Sequence, residues 1–414
     1  MLDDDILRRN RRDVLTAGSA LGLAALAGCI GTTDEDDNGE GSDDAYTIGM
    51  IDALSGDLAD FGERNQNAME VALEDVNDIG VGGQDLEIIV EDSEGESQQG
   101  VSAAQKLVNQ DNVPFVIGAV GSGVSLAIYD SVISGTDVVQ LSQNSTGVGL
   151  TDEPGLLRMS PSGETQSIAL AEIIAEDGYD EVAVTYINDE FGESLFDAFE
   201  DAYDGEIVYD SSHDGGDSSY SSLVSSMDSS GAEAWLCITY QGPFATMVND
   251  MYSGGYEAQL YGADSNRGDS VLEDTSEGSM DGMKLVEPAA PEGQENYEAF
   301  ADAYENEHGE QPTAWSAFTY DCVVTAALSI EAADEFSGEA LGDIVRDVTR
   351  PEGEEVFTYE EAHAILADGG SADDIDYQGV SGPIDFDENG DPRGSLVVIE
   401  VQDHDYVSTE FRET

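Results

Sequence analysis

The chain has 414 residues, 40% of them hydrophobic, and carries 90 Asp and Glu against 13 Lys and Arg, a formal charge of -77. Its lysines are Lys106 and Lys284, so the clustered cations that neutralise nucleic-acid phosphates are missing and a nucleic-acid partner is excluded. Three cysteines exclude a disulfide framework, and the apolar periodicity that follows below excludes an acidic disordered chain. Charge of this size, spread over every segment, repels itself in dilute buffer but is tolerated where concentrated salt shortens the Debye length to ~3 Å, which predicts a halophilic protein.

Residues 1–28 read as a targeting segment. Arg11 and Arg12 precede a run from Val14 to Ala27 that contains no charge. A membrane span needs ~20 apolar residues, whereas this run is shorter and is diluted by Thr16, Gly18, Ser19 and Gly22. The paired arginines resemble a twin-arginine export signal, and Leu26-Ala27-Gly28-Cys29 resembles a lipobox in which Cys29 becomes the acylated first residue. Residues 29–45 are small, polar and acidic, so they read as a flexible tether. The expected location is extracytoplasmic, on the outer face of the cell membrane, anchored through lipidated Cys29.

Beyond the tether, strands and helices alternate. A strand over Tyr46–Asp52 leads to a helix over 63–78 with Ala68, Val71, Ala72 and Val76 on one stripe, and then to a strand over 86–91. Helix 97–109, strand 113–117, helix 125–133 and strand 138–141 continue the pattern. A second series starts at 182–187, followed by a helix carrying Leu195, Phe196 and Phe199, a strand over 205–209, and a helix with Leu223, Val224 and Met227. A strand at 235–239, a helix at 244–251 and a strand ending at Tyr261 complete it. Strict rotation of strand and helix implies parallel βαβ units and an α/β fold of two doubly wound lobes. Residues 294–348 read as helices, and a last strand pair is expected around the turn Glu388-Asn389-Gly390-Asp391. The stretch Asp385-Phe386-Asp387-Glu388-Asn389-Gly390 opens like a calcium loop, but Leu396 stands where the closing bidentate Glu belongs, so a surface hairpin is the better reading.

Open parallel sheets bind ligands beyond the carboxyl ends of their strands. After strand 113–117 comes Gly118-Ala119-Val120-Gly121-Ser122-Gly123, and after strand 138–141 comes Ser142-Gln143-Asn144-Ser145-Thr146. Both runs offer neutral hydrogen-bond donors at the same sheet end, suited to a carboxylate. In the opposing lobe Asp264 follows a strand, and Phe61, Phe191, Tyr240 and Trp315 stand at element ends where they could line a pocket or fill a core. Arg267 is expected to pair with Asp264 or Asp269. Cys237 and Cys322 read as buried small hydrophobes, with a disulfide between them left open. His213, His308, His363 and His404 show no metal-ligand spacing, so neither a metal nor another cofactor is expected.

In their order and spacing, Ile48-Gly49, Leu54-Ser55-Gly56, Phe61-Gly62, Gly82-Gly83, Val116-Ile117-Gly118, Asp189-Glu190-Phe191-Gly192, Leu223-Val224 and Phe386-Asp387 with Gly390-Asp391 resemble the branched-chain amino-acid-binding family of ABC importer receptors. The resemblance runs from Thr47 through nearly all of the remaining chain. It implies the type I periplasmic-binding-protein fold, with lobes of residues 46–161 plus 289–378 and 162–288 plus 379–414 joined by three crossover strands. It also implies that Ser122 and Thr146, with backbone groups of Asn144 and Ser145, hold a ligand carboxylate. Asp264 would hold the ammonium, and Phe61, Phe191, Tyr240 and Trp315 would surround both. Phe61 and Phe191 stand where many relatives have tyrosine, and Asp264 stands where the best-known members have glutamate, which leaves side-chain preference open. The implied partners are an amino acid or related amide and the permease subunits of an importer, with the receptor itself a monomer. A sensor domain on the same fold is the rival; an enzyme is not expected, since no nucleophile–base pair is legible.

Overall fold

The structure is a computed structural model that describes residues 45–413. The twin-arginine segment, Cys29 and all but the last residue of the tether lie outside the described residues. Strands β1 (Tyr46–Asp52), β2 (Leu86–Asp92), β3 (Phe115–Gly118), β4 (Val139–Ser142) and β5 (Leu156–Arg158) form one sheet in the order β2-β1-β3-β4-β5. Every neighbouring pair in it is parallel. Strands β3 and β4 are buried at every residue, as short apolar runs covered on both faces by crossover helices should be. The first of those helices, Ala59–Ile79, begins a little before the expected start and buries the stripe of Ala68, Val71, Ala72 and Val76 together with Phe61.

Strands β6 (Glu181–Ile187), β7 (Glu206–His213), β8 (Ala234–Ile238), β9 (Gln259–Gly262) and β10 (Lys284–Ala289) build the second sheet, again parallel throughout. The chain then returns to the first apolar core through helices Glu295–His308 and Ala314–Ala332 and a small parallel pair, β11 (Glu354–Val356) and β12 (Ile375–Tyr377). Helix Ala314–Ala332 is buried from Trp315 to Ile330, the mark of a helix packed on all sides. Finally β13 (Ser395–Gln402) and β14 (Asp405–Glu413) join the second sheet antiparallel, giving the order β14-β13-β10-β9-β8-β6-β7. Two parallel-sheet lobes, each with its own apolar core, were expected from the alternation of elements, and this is the architecture observed.

The last strand pair differs from expectation. Its turn is Asp403-His404, both with positive φ as a two-residue hairpin demands, and Glu388-Asn389-Gly390-Asp391 joins no strands. The reason is a competing interaction. Arg158, wholly buried at the end of β5, donates to Asp391 Oδ1 at 2.6 Å and Oδ2 at 2.9 Å, and its backbone N–H donates to the Gly390 carbonyl at 3.1 Å. A buried guanidinium needs a paired carboxylate, so this turn is drawn onto the edge of the first sheet. Asp387 closes the turn by accepting from the N–H groups of Asn389 and Asp391. Among the described residues no helix is long and apolar enough to cross a membrane.

Candidate functional site

The strands of both sheets end toward one small cavity. Its lining comes from the segments that follow strands: Leu58 and Phe61 after β1, Val120, Gly121 and Ser122 after β3, and Asn144 and Thr146 after β4. From the second sheet come Phe191 after β6, Tyr240 after β8, and Asp264 and Ser265 after β9, while Trp315 enters from a helix start. Eight of the nine ligand-contact residues expected from the sequence therefore meet here. The ninth, Ser145, lies outside the lining; its hydroxyl is 2.9 Å from the Ser125 hydroxyl and donates to the Ala119 carbonyl at 3.2 Å.

The first wall is neutral. The chain after β4 lies against the chain after β3, with the Gly121 N–H donating to the Asn144 carbonyl at 3.0 Å. Ser122 Oγ accepts the Gly147 N–H at 2.9 Å. Any Cβ on Gly147 would stand 2.7 Å from the Ser122 Cβ, so only glycine permits this approach. Asn144 is 6% exposed, and neither its side-chain oxygen nor its nitrogen has a hydrogen-bond partner. Leaving such an amide buried and unpaired costs ~1–3 kcal/mol, a disadvantage that a polar ligand would relieve.

The second wall carries charge. Asp264 is 4% exposed, and burial pushes its carboxyl up to about 7, helped by the charge of Glu287 and opposed by the hydrogen bond from Gln166. Gln166 Nε2 donates to Asp264 Oδ1 at 2.9 Å. Tyr240 donates its hydroxyl proton to Asp189 Oδ2 at 2.7 Å, while Asp189 Oδ1 caps helix Glu190–Ala202 by accepting the Gly192 N–H. Aromatic pairs flank the cavity from each lobe: Phe61 meets Trp315 edge-on at 6.0 Å, and Phe191 stacks on Tyr240 at 5.4 Å. No Lys or Arg is in the lining. Such a space suits a small molecule with an apolar body, a hydrogen-bonding end and a cationic end.

Arg267 does not pair with Asp264 or Asp269. It binds the buried Glu287 and lies over the Tyr406 ring at 5.5 Å, while Arg64 takes Asp269 at 3.0 Å. Cys237 and Cys322 are free and buried, and burial raises the Cys237 thiol to about 12, so neither is a reactive group. Glu70, Glu307 and His308 bring three possible metal ligand atoms within 4.8 Å of one another, but both glutamates are exposed and none of the three lines the cavity. Sequence reasoning missed Leu58, Ser265 and Gln166. Ser265 follows Asp264 in a strand-end segment that it had marked, Leu58 follows β1, whose end it had not marked, and Gln166 lies within a helix and carries no local signal.

A cleft between parallel-sheet lobes with these contacts defines a small-molecule binding protein. The chain belongs to the periplasmic binding protein family, whose model matches residues 45–405. It is 31% identical over 226 residues to the Leu/Ile/Val-binding protein homolog 3 of Brucella melitensis, a match that covers 53% of this chain and 61% of the relative. It is 24% identical over 311 residues to the leucine-, isoleucine-, valine-, threonine- and alanine-binding protein of Pseudomonas aeruginosa, covering 73% of this chain and 82% of that one. The substrate-binding protein LivJ of Streptococcus pneumoniae, solved with isoleucine, superposes with a TM-score of 0.77 at 20% identity, over 89% of this chain and 100% of that one. The family is one of binding proteins, not enzymes.

Proposed function

We propose that this protein is the extracytoplasmic substrate-binding lipoprotein of an ABC importer, capturing an apolar amino acid or a related amide in the cavity between its lobes. The observation that carries this reading is the pairing of a buried carboxylate, Asp264, with an unpartnered amide, Asn144, on the walls of one aromatic cavity. An α-carboxylate would take the Ser122 and Thr146 hydroxyls and backbone N–H groups of the first wall. An α-ammonium would take Asp264, which repels ligands bearing only a carboxylate. Phe61, Trp315, Phe191 and Tyr240 would bury the side chain. The names of the Brucella and Pseudomonas relatives support this ligand class.

On this reading the lobes comprise residues 46–161 with 289–378 and 162–288 with 379–414, close by a hinge motion over the ligand, and present the closed form to permease subunits. The receptor acts as a monomer, tethered through Cys29 after twin-arginine export. Its acidity adapts it to concentrated salt, so its melting temperature should fall as salt is diluted.

The test is a thermal-shift screen in molar salt against amino acids, amides, urea and aromatic acids. A true ligand stabilises by RT ln(1 + [L]/Kd), ~2.7 kcal/mol at a hundredfold excess over Kd. Shifts confined to apolar amino acids support the proposal. Shifts from aromatic acids alone overturn the ammonium role of Asp264.

A further inference from the structure

Gln166 lies on helix Gly163–Glu176, outside the cavity lining, and is 1% exposed. Its Nε2 donates both to Asp264 Oδ1 at 2.9 Å and to the Val286 carbonyl on β10 at 2.6 Å. A backbone carbonyl only accepts, so the amide nitrogen must face it, and the second hydrogen is thereby aimed at Asp264. The Gln166 oxygen is left buried without a partner, which confirms that the orientation is set by the two acceptors and not by a donor to Oε1. One amide thus ties the helix that enters the second lobe to β10 and to the carboxylate on the cavity wall.

We propose that Gln166 is a positioning residue for ligand recognition: its amide, oriented by the Val286 carbonyl, holds Asp264 as the ionised acceptor that a ligand ammonium requires. The inference rests on the reading of Asp264 as the ammonium partner. A hydrogen bond to a carboxylate favours its charged form, and here it works against strong opposition. Burial raises the Asp264 carboxyl to about 7, and Glu287 on β10 adds like charge, though Glu287 is itself bound to Arg267. The other ionisable neighbour, Tyr240 after β8, is engaged with Asp189 and kept neutral by burial. Gln166 is the side-chain donor that reaches Asp264, so its removal should move the pH below which an ammonium ligand is lost.

The experiment measures L-leucine affinity by calorimetry on the full mature chain in molar salt, from about pH 5.5 to about pH 8.5, for the wild type, Gln166→Met, Gln166→Glu and Asp264→Asn. The wild type should lose affinity as acid protonates Asp264. Gln166→Met should shift that midpoint upward by roughly one pH unit, weakening binding about fivefold at neutral pH and about tenfold at the acid end, while staying within about threefold of wild type at the alkaline end. Gln166→Glu, similar in size but carrying a second carboxyl against Asp264, should shift it further. An unmoved midpoint in both Gln166 variants overturns the positioning role and leaves the binding reading intact. So does a uniform loss at every pH, the signature of a merely structural residue. A wild type indifferent to L-leucine, or one matched by Asp264→Asn, overturns the ammonium reading and this inference with it.

Discussion

The wall that follows β3 and β4 and the wall that follows β9 meet one cavity with different chemistry. The first is neutral, with the Asn144 amide unpartnered; the second holds a buried carboxylate whose one side-chain hydrogen bond comes from Gln166. Asp52, at the end of β1, shows why burial alone does not mark the site. It too is wholly buried and its carboxyl is raised by burial to about 6. Yet it accepts from the Ala53 N–H, from Asn65 and from Gln66, each at 3.0 Å, and it does not line the cavity. Asp52 is satisfied by its own fold away from the cavity, whereas Asp264, although it accepts from Gln166 and from backbone N–H groups, lines the cavity together with the unpartnered Asn144 amide. On the proposed function, a ligand would complete both walls.

Three substitutions, read in four measurements, would break or sharpen this contrast. The largest effect belongs to Asp264→Asn, which should weaken an amino-acid ligand roughly a hundredfold, about 3 kcal/mol, while leaving neutral amides nearly unchanged in calorimetry. Next is Asp52→Asn, which turns an amide N–H toward donors and should lower stability by about 2 kcal/mol in urea unfolding at high salt. An unchanged midpoint would show that Asp52 is not the satisfied counterpart described here.

Smaller is the effect of Asp264→Asn on the unliganded protein, which should gain ~1–2 kcal/mol at neutral pH because a buried charge is removed. The sign follows from linkage. A folded carboxyl raised from 3.8 to about 7 contributes stability that is fully present below the lower value and lost as pH rises through the upper. Wild-type stability should therefore carry a declining contribution across that window that Asp264→Asn lacks, read from melting temperatures at stepped pH. Smallest is Asn144→Leu, expected to weaken the ligand about tenfold with apo stability unchanged or slightly raised, since the amide it removes has no partner to lose. A marked destabilisation would place Asn144 in the fold instead of the site.

Much of this site was legible locally. Strand-end segments after β3, β4 and β9 could be found because apolar runs end in small polar residues, and Ser122, Asn144, Thr146 and Asp264 all reached the cavity. Ser145, expected to contribute its backbone, lies outside the lining, and its hydroxyl is turned to Ser125. Arg267 was expected to pair with Asp264 or Asp269, but its partner Glu287 lies on a strand and no spacing announces it.

By itself, then, the sequence determined the alternation of strand and helix, the parallel sheets, the charge regime and the strand ends where a ligand could sit, because these follow from local periodicity and composition. Tertiary structure alone decided which acid is satisfied and which is left facing the cavity, why Glu388-Asn389-Gly390-Asp391 serves Arg158 and not a hairpin, and how Gln166 reaches Asp264. Each of those depends on groups brought together across β5, β9, β10 and distant helices, and the energy of a buried polar group is set by such neighbours and not by its place in the chain.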